Sequence, residues 1–292
     1  MAKLFVDNLT VIDCSYLDTK RGIVGESWMV DVELTGTLDE QGMVFDFGHV
    51  KKQIKHFIDQ ELDHRLLVPT ASTACHIEKN AEQIHIDFAL DSGGRIRHQS
   101  PHDAVFLVND KQIDSEQLST HLEQALSIIL PDNVSHVALT LRSDPRQQGY
   151  YHYSHGLQKH LGQCQRIAHG HRSPLAIYIN GQRNNALEDE WANTLQDSYI
   201  ATQSHLQNTE DYNAIAHSCL AYTAVQGDFA ITLPSSTLFF MPVESTVENI
   251  AVHLAQLICQ EHQTEVLVKA YEGPDKGAFG HCRWQNHQVT VL

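Results

Sequence analysis

Residues 94–126 run Gly-Arg-Ile-Arg-His-Gln, then Ala-Val-Phe-Leu-Val-Asn, then Asp-Ser-Glu-Gln-Leu-Ser-Thr-His-Leu. Residues 227–258 run Gly-Asp-Phe-Ala-Ile-Thr, then Thr-Leu-Phe-Phe-Met-Pro, then Thr-Val-Glu-Asn-Ile-Ala-Val-His-Leu. His121-Leu122 thus matches His253-Leu254. Further on, Val137–Leu141 matches Val266–Ala270, and upstream Gly25 pairs with Gly170. The offsets drift as loop insertions allow. The chain reads as one unit written twice.

Each copy has legible elements. Trp28, Val30, Val32 and Leu34 alternate with Met29, Asp31, Glu33 and Thr35, the period of a half-buried strand. Leu175, Ile177 and Ile179 play that part in the second copy. Phe47, Val50, Ile54, Phe57 and Ile58 recur at helical spacing after Asp46, a helix start. A second helix is expected from Asp114, and its counterpart opens with Ser245-x-x-Glu248, a capping box. Each copy reads strand, strand, helix, hairpin, helix, strand, strand. That order predicts an α+β fold, an antiparallel four-stranded sheet with two helices on one face and an inserted hairpin. The expected domains are 1–148 and 149–292.

Length agrees, since 292 residues at roughly 150 per domain suggest two domains. Apolar residues make up 42%, enough for a packed core, which excludes a wholly disordered chain. The net charge of −16 disfavours phosphate backbones and so general nucleic-acid binding. No basic stretch leads into an apolar one at the N-terminus, and no apolar run reaches the ~18 residues of a membrane span. The six cysteines are scattered without a CxxC pair and are read as reduced thiols in the cytoplasm.

Histidine is frequent, at 20. His169 and His171 lie two apart on an expected strand, so both imidazoles point to one face. His155 would come from the preceding strand. Three neutral imidazoles with an open fourth position describe a catalytic zinc site. At this histidine content about one His-x-His arises by chance, so the pair alone also fits a chance reading. Cys164, five residues before His169, is a candidate base or nucleophile or else an inert thiol. Asp63-His64 is a candidate proton relay, but adjacent residues diverge on a helix, so the helix must end there for them to bond. Glu272 sits at a strand end, where a carboxylate lines a turn or accepts hydrogen bonds from the N–H groups of a heterocycle.

Together these pieces resemble the 6-pyruvoyl/6-carboxytetrahydropterin synthase family. The resemblance rests on Gly42–Phe47 through Leu62-Asp63-His64-Arg65-Leu66-Leu67, Ser154-His155-Gly156-Leu157, Cys164 with His169-Gly170-His171, Thr246-Val247-Glu248-Asn249, and Lys269-Ala270-Tyr271-Glu272. It spans nearly the whole chain as two copies. It implies the tunnelling fold, assembled as a barrel ring, and zinc-dependent chemistry on dihydroneopterin triphosphate. By resemblance His155, His169 and His171 hold zinc. Cys164 is the catalytic thiolate and Asp63-His64 its acid/base partner. Glu272 anchors the pterin, with Thr246 and Glu248 beside the ring.

The departures from the family pattern are complementary. Tyr16, Val24 and Glu26 stand at the first copy's histidine positions, and Ser143 at its anchor position. In the second copy the Asp-His region is expected at Thr202–Gln207 and the helix start at Glu190-Trp191. The first copy keeps the acid/base pair; the second keeps zinc ligands, thiol and anchor. A composite site between the two kinds of copy follows. If copies alternate around a ring, the number of domains is even, giving a homodimer or tetramer. Pro174 after the histidines lacks a ladder donor, which makes that strand unusual. Arg166, Arg172, Lys159 and Lys276 are candidates for the triphosphate. The expected reaction is that of a 6-carboxytetrahydropterin synthase, with loss of acetaldehyde, toward deazapurine-modified tRNA bases. The alternatives are a 6-pyruvoyltetrahydropterin synthase and a non-catalytic pterin or purine binder.

Overall fold

In the computed structural model, residues 1–38, 40, 42–44, 46–146 and 149–292 are described, with positions 47, 49 and 50 described by backbone alone. The first half comprises β1 (Ala2–Asp18), β2 (Gly22–Gly36), α1 (Phe47–Glu61), β3 (Leu66–Pro69), β4 (Cys75–Lys79), β5 (Gln83–Ala89), β6 (Arg95–Pro101), β7 (Val105–Val108), α2 (Ser115–Ile129) and β8 (Val134–Arg142). The second comprises β9 (Tyr150–His155), β10 (His169–Ile179), β11 (Gln182–Arg183), α3 (Asn185–Leu195), β12 (Ser198–Thr202), β13 (Leu206–Tyr212), β14 (Ile215–Ala224), β15 (Gly227–Pro234), β16 (Leu238–Met241), α4 (Val247–His262), β17 (Val266–Tyr271), β18 (Gly277–Gln285) and β19 (Gln288–Val291). Among the described residues no helix is long and apolar enough to cross a membrane.

The expected α+β character is observed, with a different sheet. In the second half β9, β10, β17 and β18 form an antiparallel run, but β12 and β16 join it in parallel beside β9. In the first half the antiparallel run is β1-β2-β8 alone, with β3 and β7 added in parallel. Only β8 follows α2 there, because the chain goes from Arg142 directly to the second half. Both helices of each half pack on one sheet face: Ile54, Ile58, Leu62, Leu118, Leu122 and Leu126 over β1-β2-β8, and Leu187, Leu195, Leu254 and Ile258 over its counterpart. Burying each such side chain stabilises by roughly 1.5–3 kcal/mol. Phe47 and Val50, expected on the same face of α1, lie outside the described side chains, as Phe45 lies outside the described residues.

The inserted segments contribute three strands each and join the halves. Their six strands form one sheet, β13-β14-β15-β6-β5-β4, joined where Ile231 pairs with His98. Its inner face builds a core shared by both halves, with Phe88 and Ile96 from one and Phe229 and Ile231 from the other.

Local details correct the sequence reading. Asp114 caps α2, accepting from the Glu116 and Gln117 amides. The cap of α4 is Thr246, not Ser245: its hydroxyl accepts from the Asn249 amide, and Glu248 is exposed. α3 begins at Asn185 behind an Asn184 cap, so Glu190-Trp191 lies inside the helix rather than at its start. Pro174 costs β10 nothing evident, because it sits at the last β9 pairing before β10 turns its ladder to β17 at Leu175.

Candidate metal centre

β9 and β10 pair antiparallel with His155 opposite His169, and His171 follows two residues on. That register brings the three rings together: centroids are 4.5 Å apart for His155–His169, 5.3 Å for His155–His171 and 5.9 Å for His169–His171. All three are buried. One ligand atom from each lies within 4.8 Å of the others.

Each ring is held from behind. His155 Nδ1 is 2.9 Å from the Ser245 carbonyl oxygen and His169 Nδ1 is 2.9 Å from that of Arg166. His171 Nδ1 is 3.1 Å from Asp13 Oδ1, without hydrogen-bond alignment. His155 Nε2 and His171 Nε2 have no hydrogen-bond partner. Unpaired buried nitrogens are costly, and a ring oriented through Nδ1 with Nε2 free is the pattern of a metal ligand. Burial, with neighbouring rings adding to it, holds His155 and His169 well below the ordinary histidine range, so their lone pairs are free. The donor set therefore fits a divalent zinc-like metal.

The first half supplies the facing wall. α1 ends at Glu61, and His64 turns left-handed at φ 58°. That turn lets the Asp63 carboxylate reach its neighbour, 2.7 Å from His64 Nδ1. Asp63 also accepts from the Asp13 amide at 2.9 Å. The His64 ring lies 4.9 Å from that of His169 and 6.4 Å from that of His171. Cys164, on a short turn, is half-buried beside them. Burial pulls His64 downward, but hydrogen bonds and charge from Asp63 and Cys164 outweigh it and push its pKa up to about 10.

Glu272 closes the third side at the end of β17, with Oε1 4.0 Å from His171 Nε2. Lys276 reaches both Asp13, at 3.1 Å, and Glu272, at 3.7 Å. Thr246 is next to Ser245 and so borders the site, while Glu248 points to solvent. Of the other cations, Arg166 is buried under the Asp63 carbonyl, Arg172 stacks on Tyr150 away from the histidines, and Lys159 is exposed.

The sequence reading missed Asp13 and Ser245. Asp13 is buried and lies on β1 of the half without histidine ligands. Burial opposes its charge, yet His171, Lys276 and Ser27 outweigh that and hold it well below the usual carboxylate range. The seam between the two kinds of copy joins the two halves of one chain, with His64 of the first half against His169 and His171 of the second.

The counterpart of Asp63-His64 needs correction as well. Ser15 pairs with Leu66, and Ser154 pairs with Tyr199. His64 therefore corresponds to Asp197, which has the matching φ of 55°. Thr202–Gln207 lies further along, running from the last residue of β12 into β13. Asp197 binds Arg21 through two oxygens, at 2.6 and 2.9 Å, and Arg21 also donates to the hydroxyl of Tyr16, a first-copy counterpart position, at 3.1 Å.

The model of the family described as 6-pyruvoyl tetrahydropterin synthase matches the chain twice in tandem, over residues 15–142 and 146–281. Two archaeal relatives, from Pyrococcus horikoshii and Pyrococcus abyssi, are provisionally named 6-carboxy-5,6,7,8-tetrahydropterin synthase. They are 26% and 23% identical over 145 residues, 48% of this chain and 80% of each relative. The crystal structure of 6-pyruvoyl tetrahydropterin synthase from Plasmodium vivax is 20% identical with a TM-score of 0.41, covering 50% of this chain and 93% of that one. With both tandem segments matched, the chain belongs to the 6-pyruvoyl tetrahydropterin synthase family.

Proposed function

We propose that the protein is a zinc-dependent lyase that converts 7,8-dihydroneopterin triphosphate to 6-carboxytetrahydropterin, as the names of the archaeal relatives suggest. The observation carrying this is that Asp63-His64 of one half meets Cys164 and the three histidines of the other within one chain. Bound by His155, His169 and His171, zinc supplies Lewis acidity for negative charge developing on the side-chain oxygens of the substrate. Glu272 accepts hydrogen bonds from the N–H groups of the pterin and fixes its orientation. Cys164, as thiolate, removes a carbon-bound proton next to the ring. His64, held by Asp63, delivers protons during triphosphate elimination and side-chain cleavage. Lys276, already close to Asp13 and Glu272, is the cation best placed to meet the triphosphate.

The test is incubation of zinc-loaded protein with dihydroneopterin triphosphate, measuring triphosphate and acetaldehyde together. Both products support the reading. Triphosphate alone, with the side chain kept, makes it a 6-pyruvoyl-type synthase. Binding without turnover makes it a pterin binder.

We further infer a division at 148/149 and a homo-oligomer with an even number of domains per ring. The site needs no second chain, so assembly is a separate question. Light scattering that gives a dimer (one ring of four domains) or a tetramer (two stacked rings) supports this assembly, and a trimer, whose six domains cannot be divided into rings of four, refutes it.

A further inference from the structure

The side chains around the three histidines form a second, overlapping donor set. His64, Cys164 and His169 offer ligand atoms that all lie within 4.8 Å of one another. The inner set is buried throughout, whereas His64 and Cys164 are half-buried and so stand nearer solvent. His64 is oriented for ligation: Asp63 holds Nδ1 at 2.7 Å, which leaves Nε2 directed away from the carboxylate. The Arg166 carbonyl holds His169 Nδ1 in the same manner.

The two sets differ in chemistry and share one member. The inner is all imidazole, and the outer includes sulfur, which prefers soft, thiophilic cations. A single lone pair on His169 serves one metal at a time, so both sets cannot be complete together.

We propose that His64, Cys164 and His169 form an alternative metal site at the mouth of the inner centre, taking thiophilic cations such as cadmium, or zinc in excess, and blocking the site when filled. Ligation replaces the Cys164 S–H bond and the His64 Nε2–H bond with bonds to the metal and releases both protons to solvent; nothing is oxidised or reduced. The inference extends the zinc reading above and concerns metal binding alone, so it is tested without substrate.

The experiment uses the full chain, freed of metal and titrated with cobalt, whose spectrum reports its ligands. In the wild type the first cobalt enters the inner set and shows no thiolate charge-transfer band. In the double variant His155→Ala/His171→Ala, cobalt moves to the outer set and the band appears; adding Cys164→Ser removes it. A second measurement avoids dependence on the variant folding. Excess cadmium added to the cobalt-loaded wild type slows alkylation of Cys164 roughly tenfold or more, since the metal-bound thiolate is a poor nucleophile. It also perturbs the visible cobalt bands as His169 is withdrawn. A folded double variant that binds no cobalt, or binds it without the band, overturns the proposal, as does unchanged alkylation under cadmium. A thiolate band on the first wild-type cobalt has the opposite meaning: it supports the outer site and refutes the inner one as the primary centre.

Discussion

A methyl group on Gly170 would stand 2.7 Å from the Cα of Gly25. The two glycines occupy matching places, Gly25 opposite Ser15 and Gly170 opposite Ser154, and the two serine hydroxyls lie 2.7 Å apart. The halves thus meet backbone to backbone where β1-β2 crosses β9-β10. This crossing brings Asp13 and Asp63 of one half against the histidines of the other. A Cβ at Gly25 would collide with the Tyr153 carbonyl and approach the His171 amide to 2.7 Å, and neither backbone group can swing aside. Gly25→Ala is therefore expected to destabilise the fold by about 3 kcal/mol, at the upper end for overpacking. Urea unfolding of the variant measures this, and a change below about 1 kcal/mol would show that the crossing is slack.

Glu26 stands where the second half has His171, and burial pushes its pKa up to about 7. It accepts from the Ser27 amide at 2.9 Å, and its other oxygen is 3.7 Å from His152. Because the folded state holds this proton more tightly than the unfolded chain, the favourable contribution is present at low pH and is lost as pH rises through 7. Glu26→Gln keeps the acceptor for Ser27 and removes the charge. The variant should match the wild type near pH 4 and exceed it by up to about 3 kcal/mol near pH 8. Denaturant midpoints at the two pH values test this; a constant difference between the proteins contradicts it.

How far the sequence foretold this site depends on which physical signal each residue left. His155, His169 and His171 were legible because strand period and ladder register fix which side chains share a face. The α1 end was legible because an Asp-His bond requires the helix to stop. Asp197 was not legible as the counterpart of His64. The two share a left-handed backbone and a place in the ladder, while the histidine in Thr202–Gln207 was a chemical likeness without structural equivalence. The α4 cap was displaced by one residue, the usual uncertainty at helix ends. The parallel additions to each sheet and the sheet joining both halves arise from pairings distant in sequence, to which local patterning is blind.

Cys164 and His64 should separate catalysis from metal binding. Cys164→Ala leaves all three inner ligands and their backbone partners intact, so zinc content should equal that of the wild type. Turnover should fall on the order of a hundredfold or more, the loss expected of a proton-transfer group. His64→Gln should behave alike. Full activity in either variant removes that residue from the mechanism, and loss of zinc in Cys164→Ala would mean that the thiol belongs to the resting metal site.

Asp13 carries the last expectation. Its carboxylate faces His171 Nδ1 at 3.1 Å and Lys276 Nζ at 3.1 Å, and accepts from the Ser27 hydroxyl at 2.5 Å. A carboxylate behind a ligating imidazole fixes the ring and raises its basicity. Asp13→Asn keeps the size and one acceptor but loses the charge, so His171 should hold metal less firmly. Zinc affinity, measured by competition with a chelator, should drop roughly 10–100-fold. The Asp13 amide that binds Asp63 is untouched by the change, so His64 should stay in place, and its NMR titration should remain close to that of the wild type. Unaltered zinc affinity would mean that Asp13 serves Lys276 and the seam rather than the metal; a displaced His64 signal would mean that the wall has moved and the affinity loss has a different origin.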